Sequence, residues 1–187
     1  MSIELITGPM YSLKSTTLIG RMERYLIANK KVIALKWKGD TRYTDEPYIM
    51  THSGLKCECI PCDNDDLKTI YDKIKDYEII CIDEGAFFKD IVKFCDNLAN
   101  KGHTVIVASL VGNYFRTGFN DILNLIPKCE KITWLTAICM VCFKDGASFT
   151  QLIRKDVERD GKELVGGKES YIACCRECFN KTSLKEV

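Results

Sequence analysis

The run IELITGPMYSLKST, residues 3–16, decides how the rest of the chain is read. IELIT is a short β-rich stretch ending at Gly8. Over 14–29, apolar or long residues recur at Leu18, Met22, Tyr25 and Leu26 with a helical period. The expected unit is strand, glycine loop, helix. The loop approaches the pattern G-x-x-x-x-G-K-[ST]. Gly8 opens it, Pro9, Met10, Tyr11 and Ser12 fill it, Lys14 and Ser15 close it, Thr16 follows, and Leu13 stands in the second glycine place. A loop of this kind aims backbone N–H groups and the positive end of a helix at phosphate. Lys14 would reach the β- and γ-phosphates and the Ser15 hydroxyl would bind Mg2+. A leucine held at positive φ costs about 1–3 kcal/mol. At negative φ it would simply point away, and the sequence leaves both alternatives open.

Outward from this loop, strand and helix signals alternate. KVIALKW (31–37), YEIICIDE (77–84), HTVIVASL (103–110) and KITWLTA (131–137) read as strands, and GLKCECIPC contains a further short one. Helical spacing marks 65–75 and 89–102, and FNDILNLIP (119–127) reads as a short helix ended by Pro127. The near-continuous apolar runs suit strands buried on both faces. The fold class is therefore α/β, with a mainly parallel sheet carrying the phosphate loop. After Ala137 the chain turns rich in Cys, Gly and charge. This divides it into a nucleotide-binding unit, 1–138, and a small zinc-binding unit, 139–187.

Two further motifs carry chemistry. IICIDE puts Asp83 and Glu84 at the C-terminal end of an apolar strand, the edge where open α/β sheets bind ligands. An Asp there helps hold Mg2+ in phosphate-loop enzymes, and the next acid can accept a proton from an attacking hydroxyl. A pair of acids capping a helix is the plainer alternative. The second motif is CMVC with CREC: Cys139, Cys142, Cys175 and Cys178 are two C-x-x-C knuckles, enough to close a tetrahedral Zn2+ site with no open position. Such a zinc is structural. Cys174 is a less regular alternative ligand. Cys57, Cys59 and Cys62 lack a fourth partner nearby, and Cys81, Cys95 and Cys129 read as core. His52 and His103 read as ordinary loop or strand-edge residues.

Bulk properties narrow the function class. A chain of 187 residues with 46% hydrophobic content is one domain, or one with a small appendix, and is not disordered throughout. Its 27 basic and 26 acidic residues leave a net charge of +1, so no global field draws it to nucleic acid or a membrane. No apolar run approaches the roughly 20 residues of a bilayer span. The 11 cysteines, an odd number without an export signal, suit a reducing compartment, and a cytoplasmic location is expected.

GPMYSLKST, IDEGAFF, FNDILNLIP, LTAICMVCF and VGGKESY…CCRECF, in this order and spacing over about residues 3–179, resemble the thymidine kinases of the cytosolic and poxvirus type. The resemblance implies a RecA-like α/β domain with a zinc-bearing lasso domain. It implies transfer of the γ-phosphoryl of ATP to the 5′-hydroxyl of thymidine with Mg2+, and a homo-oligomer, dimer or tetramer. It makes Glu84 the general base and assigns phosphate and metal contacts to the loop from Gly8 to Thr16, with Asp40, Arg42 and Asp83. Met10, Phe87, Tyr114 and Phe119 would enclose the nucleoside. Lys162, Glu163, Leu164, Val165 and Gly166, with Tyr171, fall on the lasso over the base. The sequence departs from the family pattern at Leu13, Ala86, Val111, Thr117 and Gly118, and more mildly at Tyr114 and Lys162. The alternative reading is a protein that keeps this fold as a binding scaffold.

Overall fold

The computed structural model describes residues 1–40, 46–51, 53–63, 67–154 and 166–183. In chain order its regular elements are β1 (Ser2–Thr7), α1 (Lys14–Ile27), β2 (Val32–Trp37), β3 (Tyr48–Met50), β4 (Lys56–Glu58), β5 (Ile60–Cys62), α2 (Tyr71–Ile74), β6 (Ile79–Asp83), α3 (Ile91–Asn100), β7 (Thr104–Ser109), β8 (Lys131–Trp134), β9 (Phe149–Leu152), β10 (Tyr171–Cys174) and α4 (Arg176–Ser183). Six strands form one sheet in the order β5-β2-β6-β7-β1-β8. Every pairing in it is parallel. The chain is α/β with a parallel central sheet, as the alternating pattern predicts.

The apolar runs divide their side chains between two cores because consecutive strand residues face opposite sides. On one face Ile3, Leu5, Ile80, Ile82, Val105 and Val107 meet Phe94, Leu98 and Ile91 of α3 and Ile122 and Leu125 from the 119–128 segment. On the other face Ile6, Cys81, Ile106 and Ala108 meet Leu18, Ile19 and Met22 of α1. Full burial of each such aliphatic side chain stabilises by roughly 1.5–3 kcal/mol. A strand buried on both faces has no polar face to display, which is why IICID carries no alternation.

Several boundaries differ from the sequence expectation, each for a local reason. The 65–75 helix is a 3-10 turn, Leu67–Ile70, running into the single turn of α2; it still buries Leu67, Ile70 and Ile74. Residues 64–66 lie outside the described residues. FNDILNLIP is a 3-10 segment, Asn120–Lys128, and it runs through Pro127 instead of stopping there. The proline lacks an N–H, but the next turn closes by Cys129 N donating to Ile126 O at 3.2 Å. Asn29 adopts a φ of 56° and ends α1 earlier than expected. The last strand stops at Trp134, because Ala137 pairs with Ala147 and leads the chain into the small antiparallel β9–β10 sheet.

Parallel strands point their C-terminal ends the same way. Gly8 to Leu13 follow β1, Lys38 to Asp40 follow β2, Glu84 to Phe88 follow β6 and Leu110 to Phe119 follow β7. These loops share one rim of the sheet, where the sequence motifs converge.

Candidate active site

The phosphate loop is built by steric exclusion at Gly8. A Cβ added there would collide with the Leu135 backbone carbonyl oxygen, and it would lie 2.7 Å from Ser12 Oγ. Within the loop, Ser12 Oγ donates to Pro9 O at 2.8 Å and Lys14 Nζ donates to the same carbonyl at 2.7 Å. Both side chains are buried. Lys14 is the first residue of α1, whose first turn contains no acidic residue, so the positive end of the helix is not neutralised from within.

Leu13 answers the question its sequence raised, and neither alternative holds alone. It takes the left-handed conformation, φ 63° and ψ 32°, and its side chain also points away, 64% exposed. The backbone follows the path a glycine would take, and the isobutyl group stays out of the loop's concave side. Tyr11 is left-handed too, with φ 63°.

The acidic pair meets this loop. Ser15 Oγ donates to Asp83 Oδ1 at 3.1 Å across 68 residues of sequence. Glu84 follows Asp83 in the left-handed region, φ 54° and ψ 42°, and is buried. Its conformation opens a tight 3-10 turn, Gly85–Phe87, in which Phe87 N donates to Glu84 O at 3.1 Å. Gly85 allows the turn to lie against the sheet: a Cβ there would sit 2.5 Å from Val107 Cγ1. Ser109 Oγ accepts from Ala86 N at 2.9 Å, and Asn120 Nδ2 donates to Ala86 O at 2.9 Å. The turn carrying the acid is thus tied to β7 and to the 3-10 segment behind it.

Asp40 is buried near the same rim, with its carboxylate 3.8 Å from Lys36 Nζ. Lys36 stands opposite Asp83 in the β2–β6 register. This buried lysine places one positive charge among two rim carboxylates, and sequence reasoning missed it. The available signal was a charged residue inside the apolar run VIALKW, next to its end. Ser15 and Asp83 offer hard oxygen ligands of the kind Mg2+ takes.

The expected nucleoside residues fall in two groups. Phe87 stacks on Trp37 with centroids 4.2 Å apart and planes at 5°, and it meets Phe119 edge-on at 5.6 Å. Met10, Leu152 and Tyr171 form a second buried cluster with Tyr11, Leu110 and Tyr114 against it. Trp37 and Leu152 were not singled out from sequence. Gly166 lies just ahead of the turn that enters β10, in which Tyr171 N donates to Gly167 O at 3.0 Å. Arg42, Lys162, Glu163, Leu164 and Val165, and also His52, lie outside the described residues. Val111 packs into the main core, and Thr117 Oγ1 donates to Asn113 Oδ1 at 2.9 Å. A cavity of about 280 Å3 beside Gly8 and Pro9 is walled by Val111, Arg116, Trp134 and Phe149; among the described residues, none of those expected at the nucleoside lines it.

The cysteine quartet assembles as its spacing predicts. The Sγ atoms of Cys139, Cys142, Cys175 and Cys178 all lie within 4.8 Å of one another, with Cys142 and Cys175 at 3.9 Å. Tetrahedral Zn2+ with Zn–S bonds of about 2.3 Å needs sulfurs about 3.8 Å apart, so the residues fit the ion. Burial raises the Cys139 thiol, but backbone N–H groups around its sulfur outweigh this and bring it down to about 6. Burial and the neighbouring cysteines push Cys178 up. A dication lets all four ionise together. Cys174 is not a member: its Sγ donates to Gln151 Oε1 at 3.1 Å, and burial, then the charge of Cys139, pushes it up to about 12. Among the described residues no metal-competent group includes Cys57, Cys59 or Cys62. Burial raises Cys59 to about 12 and Cys62 to about 11, as befits inert core thiols. Cys81 and Cys95 are buried, and Cys129 is half-buried. His103 is an ordinary strand-edge residue whose Nδ1 lies 2.7 Å from Tyr77 O.

Comparison with known proteins agrees with this assembly. The family model described as "Thymidine kinase" matches residues 1–179. "Thymidine kinase 1" of Dictyostelium discoideum is 43% identical over 181 residues, covering 95% of this chain and 77% of the relative. The thymidine kinase of Sheeppox virus (strain KS-1) is 47% identical over 177 residues, covering 95% of this chain and 96% of the relative. That of Vaccinia virus (strain Western Reserve) is 44% identical with the same coverage. A parallel sheet with a phosphate loop, an acidic pair on its rim and a four-cysteine cluster, matched over this length, make the chain a member of the thymidine kinase family, a family of phosphotransferases.

Proposed function

We propose that this protein transfers the γ-phosphoryl group of ATP to the 5′-hydroxyl of thymidine. The observation that carries the reading is the meeting of the phosphate loop and the sheet-edge acids: Ser15 Oγ lies 3.1 Å from Asp83 Oδ1, with Lys14 and Glu84 their neighbours in sequence. Lys14 and the loop's backbone N–H groups hold the triphosphate and offset the charge spreading on the transferred group. Ser15 and Asp83, with Asp40 close to the same rim, are the residues that would hold Mg2+, which neutralises phosphate charge when bound. Glu84 takes the proton from the 5′-hydroxyl as it attacks. Met10, Phe87, Tyr114, Phe119 and Tyr171 enclose the nucleoside. Arg42 and residues 162–166 complete the phosphate and base contacts in this reading.

Residues 1–138 act as the nucleotide-binding unit, and residues 139–187 form the structural zinc unit that carries the lasso. A homo-oligomer belongs to the same reading: edge strand β8 leaves Ile132 40% and Trp134 59% exposed. A cytoplasmic location suits eleven cysteines that form no disulfide. No helix among the described residues is long and apolar enough to cross a membrane. The scaffold alternative gains nothing from Leu13, whose side chain is turned outward.

The test is direct. Purified protein with ATP, Mg2+ and thymidine is expected to form thymidine monophosphate, and Glu84→Gln to lower kcat by about 10²–10⁴. Wild-type product no greater than that of Glu84→Gln would overturn the reading.

A further inference from the structure

Two left-handed non-glycine residues, Tyr11 and Leu13, sit two positions apart in one short loop. Such conformations persist only where the surroundings over-determine them. Within the loop, Ser12 Oγ and Lys14 Nζ both donate to Pro9 O and close it on itself. Met10 and Tyr11 are also held from β9 and β10. Met10 N donates to Thr150 Oγ1 at 3.0 Å in a buried bond spanning 140 residues. Tyr11 OH donates to Tyr171 O at 3.2 Å across 160 residues.

The ring of Tyr11 has a second attachment. It packs against the cluster of Ala137, Cys139, Ala147, Ala173 and Cys178, which contains two of the four zinc-site cysteines. Thr150 and Tyr171 belong to the same β9–β10 ribbon, in which Thr150 pairs with Ala173. That ribbon leads directly into Cys175. The bonds therefore run from the zinc site, through one two-stranded sheet, to two consecutive residues of the phosphate loop.

We propose that the zinc-bearing unit is part of the phosphate-binding machinery, with Tyr11 and Thr150 as positioning residues that hold the strained loop ready for a triphosphate. Tyr11 contributes a ring seated on the zinc cluster and a hydroxyl bonded to β10. Thr150 Oγ1 accepts from the buried Met10 N–H. When the ribbon is intact the loop is preorganised, and the ligand does not have to order it on binding. When the brace is cut, part of the binding energy goes into restoring the left-handed pair. Zinc occupancy is then sensed at the phosphate loop.

The consequence for ATP rests on the proposed kinase reading; the brace itself is tested without any ligand. Hydrogen–deuterium exchange of residues 8–17 is measured in the ligand-free full-length protein for wild type, Tyr11→Phe, Thr150→Val and Thr150→Ser, with zinc content determined for each. Tyr11→Phe and Thr150→Val are expected to speed exchange over 8–17 by about fivefold each, the loss of one ordinary hydrogen bond. Exchange in β6 and β7 and the zinc content stay at wild-type values. Thr150→Ser, which keeps the hydroxyl, keeps the wild-type pattern. Unchanged exchange over 8–17 in both Tyr11→Phe and Thr150→Val overturns the proposal. So does a uniform rise across all strands or loss of zinc, since either marks general destabilisation. Calorimetry with a non-hydrolysable MgATP analogue is expected to show about fivefold weaker binding in the same two variants. If wild type binds no MgATP analogue while the exchange pattern appears, the brace stands and the kinase reading falls.

Discussion

At the residue scale, Leu13 shows how a motif can lose a letter and keep its shape. A glycine at this place supplies positive φ without cost; a leucine reaches the same φ against steric opposition of roughly 1–2 kcal/mol. Because the side chain is 64% exposed, the cost is conformational and not a blockage of the loop. Leu13→Gly is therefore expected to change MgATP affinity by no more than about threefold by calorimetry, and stability by about 1 kcal/mol or less in denaturant titrations, since relieved strain is partly offset by glycine's greater chain entropy. A tenfold gain in affinity would show that the leucine does intrude on the ligand. Glu84 is strained in the same sense, and there the strain coincides with the proposed base. Its left-handed backbone starts the turn that carries Phe87 round to Trp37. Lys36 completes the residue-scale picture: one ammonium facing Asp40 and opposite Asp83 in the register keeps two buried carboxylates from standing unneutralised.

At the element scale, the site depends on what stands behind it. The turn after β6 hangs on Ser109 of β7, which is fully buried and accepts the Ala86 N–H. Ser109→Ala leaves that donor without its acceptor, and a buried unsatisfied group costs about 1–3 kcal/mol. The expected result is a stability loss of that size in urea titrations, together with a fall in kcat larger than any change in the KM for ATP, because the displaced group is Glu84 and not the phosphate loop. A stable variant with wild-type kcat would show that the turn is positioned without this bond. The element boundaries carry a related lesson. Asn29 stops α1 through its own left-handed φ, and Pro127 fails to stop the 3-10 segment because a 3-10 turn needs fewer bonds around it.

At the scale of the whole molecule, a well-packed parallel sheet stands beside the small β9–β10 sheet and its four-cysteine cluster. Around the cysteines, Ala137, Ala147 and Ala173 lie beside Cys139 and Cys178, with Met140 and Tyr11 packed against them. Zinc bound by these four cysteines would contribute folding energy. The intact protein is expected to carry one zinc per chain by mass spectrometry. Chelation is expected to abolish exchange protection in β9 and β10 while leaving β1, β6 and β7 protected. Cys142→Ser should reproduce the chelated state. Retention of β9–β10 protection in metal-free protein would show that the unit folds on side-chain packing alone.

Much of this was legible in the chain itself. Gly8 with Lys14 and Ser15, the IICIDE run, and the two C-x-x-C knuckles each report local requirements: a backbone approach only glycine allows, burial on both faces of a strand, and thiolate spacing for one ion. Periodicity marks elements because burial repeats with the geometry of strand and helix. The fold class and the cysteine quartet followed from those local rules. Strand order, and with it the arrival of Ser15 beside Asp83, is set by long-range packing that no short window contains. The same holds for the left-handed φ of Leu13, the register that brings Lys36 opposite Asp83, and the hydrogen bonds that Met10 and Tyr11 of the phosphate loop donate to Thr150 and Tyr171. Those bonds join residues more than a hundred positions apart, and only the folded chain brings them within reach.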